Sequence, residues 1–150
     1  MKSKRCRKYG IINERSNPFE DIIYAGEIVY NYTDEDTNRE VVVIRDEMGC
    51  VHETYQEFLI TTCEKADELV NLLKNRLNNI ANHLEAIDAS ISSNYKYLDR
   101  NKNNYDLSFR ELILASNTFL NAIKKRNKLI SESDILTLSL TNIASVIDNL

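Results

Sequence analysis

The chain has 150 residues, 43% of them apolar and 28% charged, with three glycines, one proline and no tryptophan. This is a folding composition with few tight turns, long enough for one domain or for a small module with a helical extension, and it excludes a disordered chain. The net charge of −4 is uneven: residues 1–8 carry five basic and no acidic side chains, residues 9–64 three against thirteen, and residues 65–150 eleven against ten; so acidic a front repels nucleic acid and favours basic partners.

The opening residues, MKSKRCRK, form a basic arm (1–8). It has no secretory apolar region, and no run in the chain approaches the roughly 18 apolar residues of a membrane span. Three widely spaced cysteines, Cys6, Cys50 and Cys63, suit a reducing compartment better than a disulfide framework. Together these features predict a cytoplasmic protein.

From residue 9 the pattern is that of strands. YGII (9–12) is a short strand, and NERSNPFED around Pro18 is a loop. GEIVYNY (26–32) alternates, which places Ile28, Tyr30 and Tyr32 on one face. TDEDTN (33–38) is a polar turn. VVVI (41–44) is apolar on both faces, as in a central strand. DEMG (46–49) puts Gly49 where a hairpin needs positive φ, and CVHETY (50–55) is the return strand, from which Phe58 and Leu59 lead out. Residues 9–60 thus form a small antiparallel β module.

The period then changes. Ala66, Leu69, Leu73, Leu77, Ile80, Leu84, Ile87, Ile91, Tyr95 and Leu98 step by three or four and fall within a sector about 80° wide. That predicts a long helix over 64–100, with Thr62 as its N-cap. DRNKNN (99–104) is a turn. A second helix over 105–130 carries Tyr105, Phe109, Leu112, Ile113, Phe119, Leu120, Ile123 and Ile130, with Leu107, Leu114 and Leu129 on another side. SESD (131–134) reads as an N-cap segment, with Ser131 or Ser133 as the cap of a third helix burying Leu136, Leu140, Ile143, Ile147 and Leu150. The class is therefore α+β: a small antiparallel sheet followed by a long helical hairpin or three-helix bundle (63–150). The first helix, longer than its neighbours, leaves part of its seam for another chain, as in a coiled-coil homo-oligomer.

Few residues carry recognisable chemistry. His52 with Cys50, Cys63 and Cys6 lacks the spacing of a zinc site, so the cysteines read as small buried thiols. His83 lies on a helix flank, outside the apolar seam. The carboxylates Asp34, Glu35, Asp36, Asp46 and Glu47 sit in turns, without the glycine and terminal glutamate of a calcium loop. No motif supplies a nucleophile with its base, a phosphate cradle or a cofactor site, which points away from an enzyme. Lys124, Lys125, Arg126 and Lys128 suit the C-terminal end of a helix. Asn71, Asn75, Asn78 and Asn82 form a polar stripe opposite the seam.

The stretch Tyr24–Ile60, through Val41-Val42-Val43-Ile44-Arg45, Gly49, Val51 and Glu57-Phe58-Leu59, resembles a family of short SH3-like domains found in bacterial and phage proteins. The resemblance covers about a quarter of the chain and implies a small barrel-like sheet; the family has no established activity to carry over. Three function classes follow. The leading one is a non-enzymatic interaction protein, such as a phage or mobile-element regulator or inhibitor. It self-associates through its helices and meets a protein partner through the acidic turns Asp34–Asp36 and Asp46–Glu47. The second is a binder of a nucleotide-like ligand, with Tyr30, Tyr32 and Tyr55 stacking near Arg39 or Arg45. The third is a nucleic-acid accessory protein using the basic arm.

Overall fold

The computed structural model describes residues 7–14, 18–104, 106 and 108–150; residues 1–6 of the basic arm, Cys6, and the seam residues Tyr105 and Leu107 lie outside them. The architecture is α+β: five antiparallel strands followed by two long helices. The strands are β1 (Tyr9–Ile12), β2 (Ala25–Asp34), β3 (Arg39–Arg45), β4 (Val51–Tyr55) and β5 (Leu59–Ile60), with a short 3₁₀ turn, Gln56–Phe58, before β5. Their order across the sheet is β4-β3-β2-β1-β5. Neighbours in sequence pair through β4, and β5 then returns to pair with β1, Ile11 opposite Ile60 and Ile12 opposite Leu59. Two residues are too few to show a period, so the sequence reading ends the module without β5.

Both hairpin turns place a left-handed residue at their close: Asn38 (φ 55°) between β2 and β3, and Gly49 (φ 83°) between β3 and β4. Asn tolerates that region because its short side chain can hydrogen-bond locally, and Gly because it has no Cβ. In β2, Ile28 pairs with Ile44 but Tyr30 pairs with Val43, a bulge at Val29. The extra residue reverses the alternation. Ile28 therefore joins Ile12, Val42, Ile44 and Leu59 in the core, while Tyr30 and Tyr32 take the opposite face. The expectation that Ile28, Tyr30 and Tyr32 share one face is thus corrected.

Helix α1 spans Cys63–Asn101 and α2 spans Phe109–Ile147, 39 residues each. Thr62 precedes α1, and its carbonyl accepts the Ala66 N–H at 3.1 Å. No third helix begins at Ser131–Asp134: α2 runs through them. Neither Gly nor Pro interrupts the backbone there, and Glu132 is held by Arg76, with Nε and one terminal guanidinium nitrogen donating to its two oxygens at 2.6 and 2.9 Å. Leu129, buried ahead of this segment, lies seven residues before Leu136 and so on the same side of the continuous helix. Farther along, Leu136, Ser139, Ile143 and Val146 are buried, out of phase with the stripe expected over 105–130. Because α2 continues, Lys124–Lys128 lie mid-helix, away from its C-terminal dipole. The helices are equal in length, so the expectation that the first is longer than its neighbours is corrected.

Contacts divide the chain into two compact units: the described residues of Met1–Asn75 with Asp134–Leu150, and those of Arg76–Ser133. The first contains the sheet, the start of α1 and the end of α2. Its buried residues include Ile11, Ile23, Ile44, Ala66, Leu73, Leu136 and Ile143. Ser139 Oγ accepts the Ile23 N–H at 2.9 Å, and Asn142 Nδ2 donates to the Ile23 carbonyl at 3.0 Å. In the second unit, Ile80 and Leu129 are the buried apolar side chains among the described residues. That unit also holds the Arg76–Glu132 pair, an Arg126–Asp88 pair at 2.7 Å and a Tyr95–Phe119 ring contact at 6.5 Å. No helix is long and apolar enough to cross a membrane among the described residues.

Candidate functional site

The β3–β4 turn organises the most polar part of the sheet. Asp46 follows β3 directly, and its Oδ1 accepts the Met48 and Cys50 N–H groups at 3.0 and 2.9 Å. Its Oδ2 lies 2.8 Å from His52 Nε2. A carboxylate only accepts, so His52 donates from Nε2, and in the neutral ring Nδ1 is left as the acceptor. The His52 hydrogen bond, and then those from Cys50 and Met48, hold the Asp46 carboxyl below the ordinary carboxylate range, against the opposing effect of desolvation. On its ring face His52 stacks on Tyr24, 3.9 Å between centroids at 14°.

Beside this stack is a cleft of about 360 Å³, lined by Ile12, Asn13, Glu14, Pro18, Asp21, Ile22, Ile23, Tyr24, His52 and Glu53. Asn13 holds its place through its backbone N–H, which donates to the Phe58 carbonyl at 2.9 Å. Its side-chain Oδ1 is buried and has no hydrogen-bond partner among the described residues. Three chain segments meet here, and only their folding brings them together; no sequence motif marks the cleft.

The residues proposed to stack a nucleotide fall on one face of the sheet. The pairings Tyr32–Val41–Tyr55 and Tyr30–Val43, with Arg39 and Arg45 at even spacing along β3, place all five there. Tyr30 and Tyr32 stack at 5.8 Å. Burial first, and then the Glu53 and Asp34 carboxylates, push the Tyr32 phenol up. Arg39 already covers the Tyr55 ring, 3.6 Å from its centroid, and pairs with Glu57. Arg45 meets Glu27 at 3.5 Å. Both cations on this face therefore have carboxylate partners.

The five acidic turn residues divide by role. Asp34 Oδ1 accepts the Asp36 N–H at 3.0 Å, so Asp34 and Asp46 shape their turns from within. Glu35, Asp36 and Glu47 are exposed. Both described cysteines are exposed as well, which corrects the reading of buried thiols. Cys50 follows the turn glycine at the solvent end of the hairpin, and Cys63 opens α1, where its Sγ contacts the Leu150 carbonyl at 3.3 Å. His83 is exposed. No cluster of His, Cys, Asp and Glu is arranged to hold a metal ion among the described residues.

Fold and site together define an α+β protein whose sheet carries an acidic rim, a tyrosine face and a small polar cleft. No family model, curated protein or solved structure matches this chain.

Proposed function

We propose that this is a non-enzymatic interaction protein that self-associates through its helices and presents an acidic, SH3-like module to a basic protein partner. A regulator or inhibitor of the kind carried by phages and mobile elements would act in this way. Support for the barrel-like module comes from the sheet order, in which a four-strand meander is followed by a strand returning to the first. That is how a small sheet begins to close on itself. Support for partner binding comes from Glu35, Asp36 and Glu47, which stand exposed at the two turns while Asp34 and Asp46 hold those turns in shape.

The observation that carries self-association is the apolar surface of α2. Phe109 is 79% exposed, Leu120 52% and Ile113 43%. On a helical wheel they fall within about 40° of one another, next to the half-buried Leu112, Phe119 and Ile123. The apolar side of this segment is thus wider than one neighbouring helix covers. A second copy with the same excess covers it by two-fold packing of hairpins. Sedimentation velocity tests the reading: the parent should be a dimer or higher oligomer, and Ile113→Glu with Leu120→Glu should give a monomer of unchanged helix content. A parent that stays monomeric at high concentration overturns it.

A further inference from the structure

We infer that one side of the helical hairpin in the second unit, built on Lys124, Lys125 and Lys128, binds the phosphate backbone of a nucleic acid. The reading does not rest on self-association, since these lysines are not part of the exposed apolar stripe. The chain is acidic as a whole, but Arg76–Ser133 carries nine basic and six acidic side chains. Three of its cations are neutralised: Arg76 by Glu132, Arg126 by Asp88 and Lys102 by Asp99. Lys124, Lys125 and Lys128 are exposed and have no carboxylate partner among the described residues, and none of the residues outside those is acidic. They lie in the middle of α2, so no helix dipole accounts for them.

The helix gathers them into a strip. On a helical wheel the three lysines, with the exposed Asn117 and Asn121, fall roughly 40–140° to one side of the buried Leu129. Glu132 is on that same side and Arg126 on the other. The Arg76–Glu132 contact therefore shows which side of α1 adjoins the strip, and the exposed Asn79 and His83 lie there. Besides Glu132, which Arg76 holds, the acidic residue nearest the strip is Glu111, beyond its far end. From Asn117 to Lys128 the strip runs about 16 Å at 1.5 Å per residue, the length of roughly five phosphates on one strand of a duplex. Its composition selects the partner. Lysines interleaved with amides are the groups that contact phosphate and sugar oxygens, whereas protein interfaces are depleted in lysine and enriched in aromatic residues.

Fluorescence anisotropy tests the strip, with the full chain titrated into labelled DNA and RNA, each as a mixed-sequence duplex and as a single strand, between about 50 and 200 mM salt. Saturable binding is expected to at least one of them, and the one bound tightest names the form recognised. For a duplex the logarithm of affinity should fall against the logarithm of salt with a slope of about −3, one phosphate for each lysine. Replacing all three lysines by glutamine, which keeps helix propensity, should flatten that slope at unchanged helix content by circular dichroism. Each single Lys→Gln change should reduce it by about one, so the singles decide the matter even if the triple variant does not fold. Lys65→Gln with Lys74→Gln, outside this unit, should bind as the parent does. Absence of binding to every nucleic acid at low salt overturns the inference, and so does binding only to vesicles of anionic lipid. Lysine variants that bind with the parent's slope overturn it too, because the contacts then lie elsewhere, as on the basic arm.

Discussion

Replacing Ile44 with alanine tests the assignment of the sheet core. Ile44 is fully buried in β3, flanked across the sheet by Ile28 and His52, and it clusters with Ile12, Val42 and Leu59. The substitution removes three carbon atoms. At about 0.8 kcal/mol per buried methylene the transfer loss is roughly 2.4 kcal/mol. Incomplete collapse of the resulting cavity adds to it, so a total of about 3–4 kcal/mol is expected. Against a whole-protein stability on the order of 5–15 kcal/mol, that loss is easily measured. Urea unfolding followed by near- and far-ultraviolet circular dichroism, at one protein concentration so that association is held fixed, should show the midpoint falling by about 1.5 M. Met48→Ala, at a side chain 88% exposed in the same hairpin, is the control and should stay within about 0.5 kcal/mol of the parent. An Ile44→Ala loss below about 1 kcal/mol would refute the placement of this strand at the centre of the core.

Three other outcomes follow from the geometry. Gly26→Ala would drive its Cβ into the Arg45 carbonyl oxygen, a backbone atom that cannot swing away, so thermal unfolding should show a loss of about 1–3 kcal/mol; a neutral result would mean that β2 and β3 are not in this register. Because the folded-state pKa of Asp46 is depressed, its stabilisation is present above the ordinary carboxylate value of about 4 and is lost as pH falls through the folded value. The stability gap between parent and Asp46→Asn should therefore be open at neutral pH and close under acid, as read by a pH series of urea midpoints. A double-mutant cycle on Arg76 and Glu132, a two-pronged and partly buried pair, should return a coupling of about 1 kcal/mol, and zero coupling would show that the pair does not hold α1 to α2.

Much of the sheet was legible because each strand had a local signal: the β-branched run of β3, the alternation of β2, the glycine of the β3–β4 turn. The face of Ile28 was not, because a bulge depends on which residue of β3 sits opposite, and pairing is not written in β2 alone. At Ser131–Asp134 polar residues and a change of stripe imitated a helix start. The earlier stripe includes the exposed Phe109, Ile113 and Leu120, whereas the buried side runs on through Leu129, Leu136 and Ile143, and periodicity alone cannot tell an exposed apolar stripe from a buried one. Asp46 reads in sequence as one more solvated turn acid, yet its partners are its own turn and His52. The cleft was invisible for the same reason, being assembled from segments near residues 13, 22 and 53.

The two hydrogen bonds that close on Ile23 set a schedule for the newborn chain. Ser139 and Asn142 follow Ile23 by 116 and 119 positions. At a synthesis rate of 5–20 residues per second, the ribosome needs roughly 6–24 s to deliver them. Until then the backbone N–H and carbonyl of Ile23 have only water to bond. The sheet must wait through the making of both helices for the segment that finishes its own unit. The entropy of closing so long a loop rises only logarithmically with its length, so the delay weighs on the time the immature sheet stays exposed to chaperones and proteases more than on the stability finally reached.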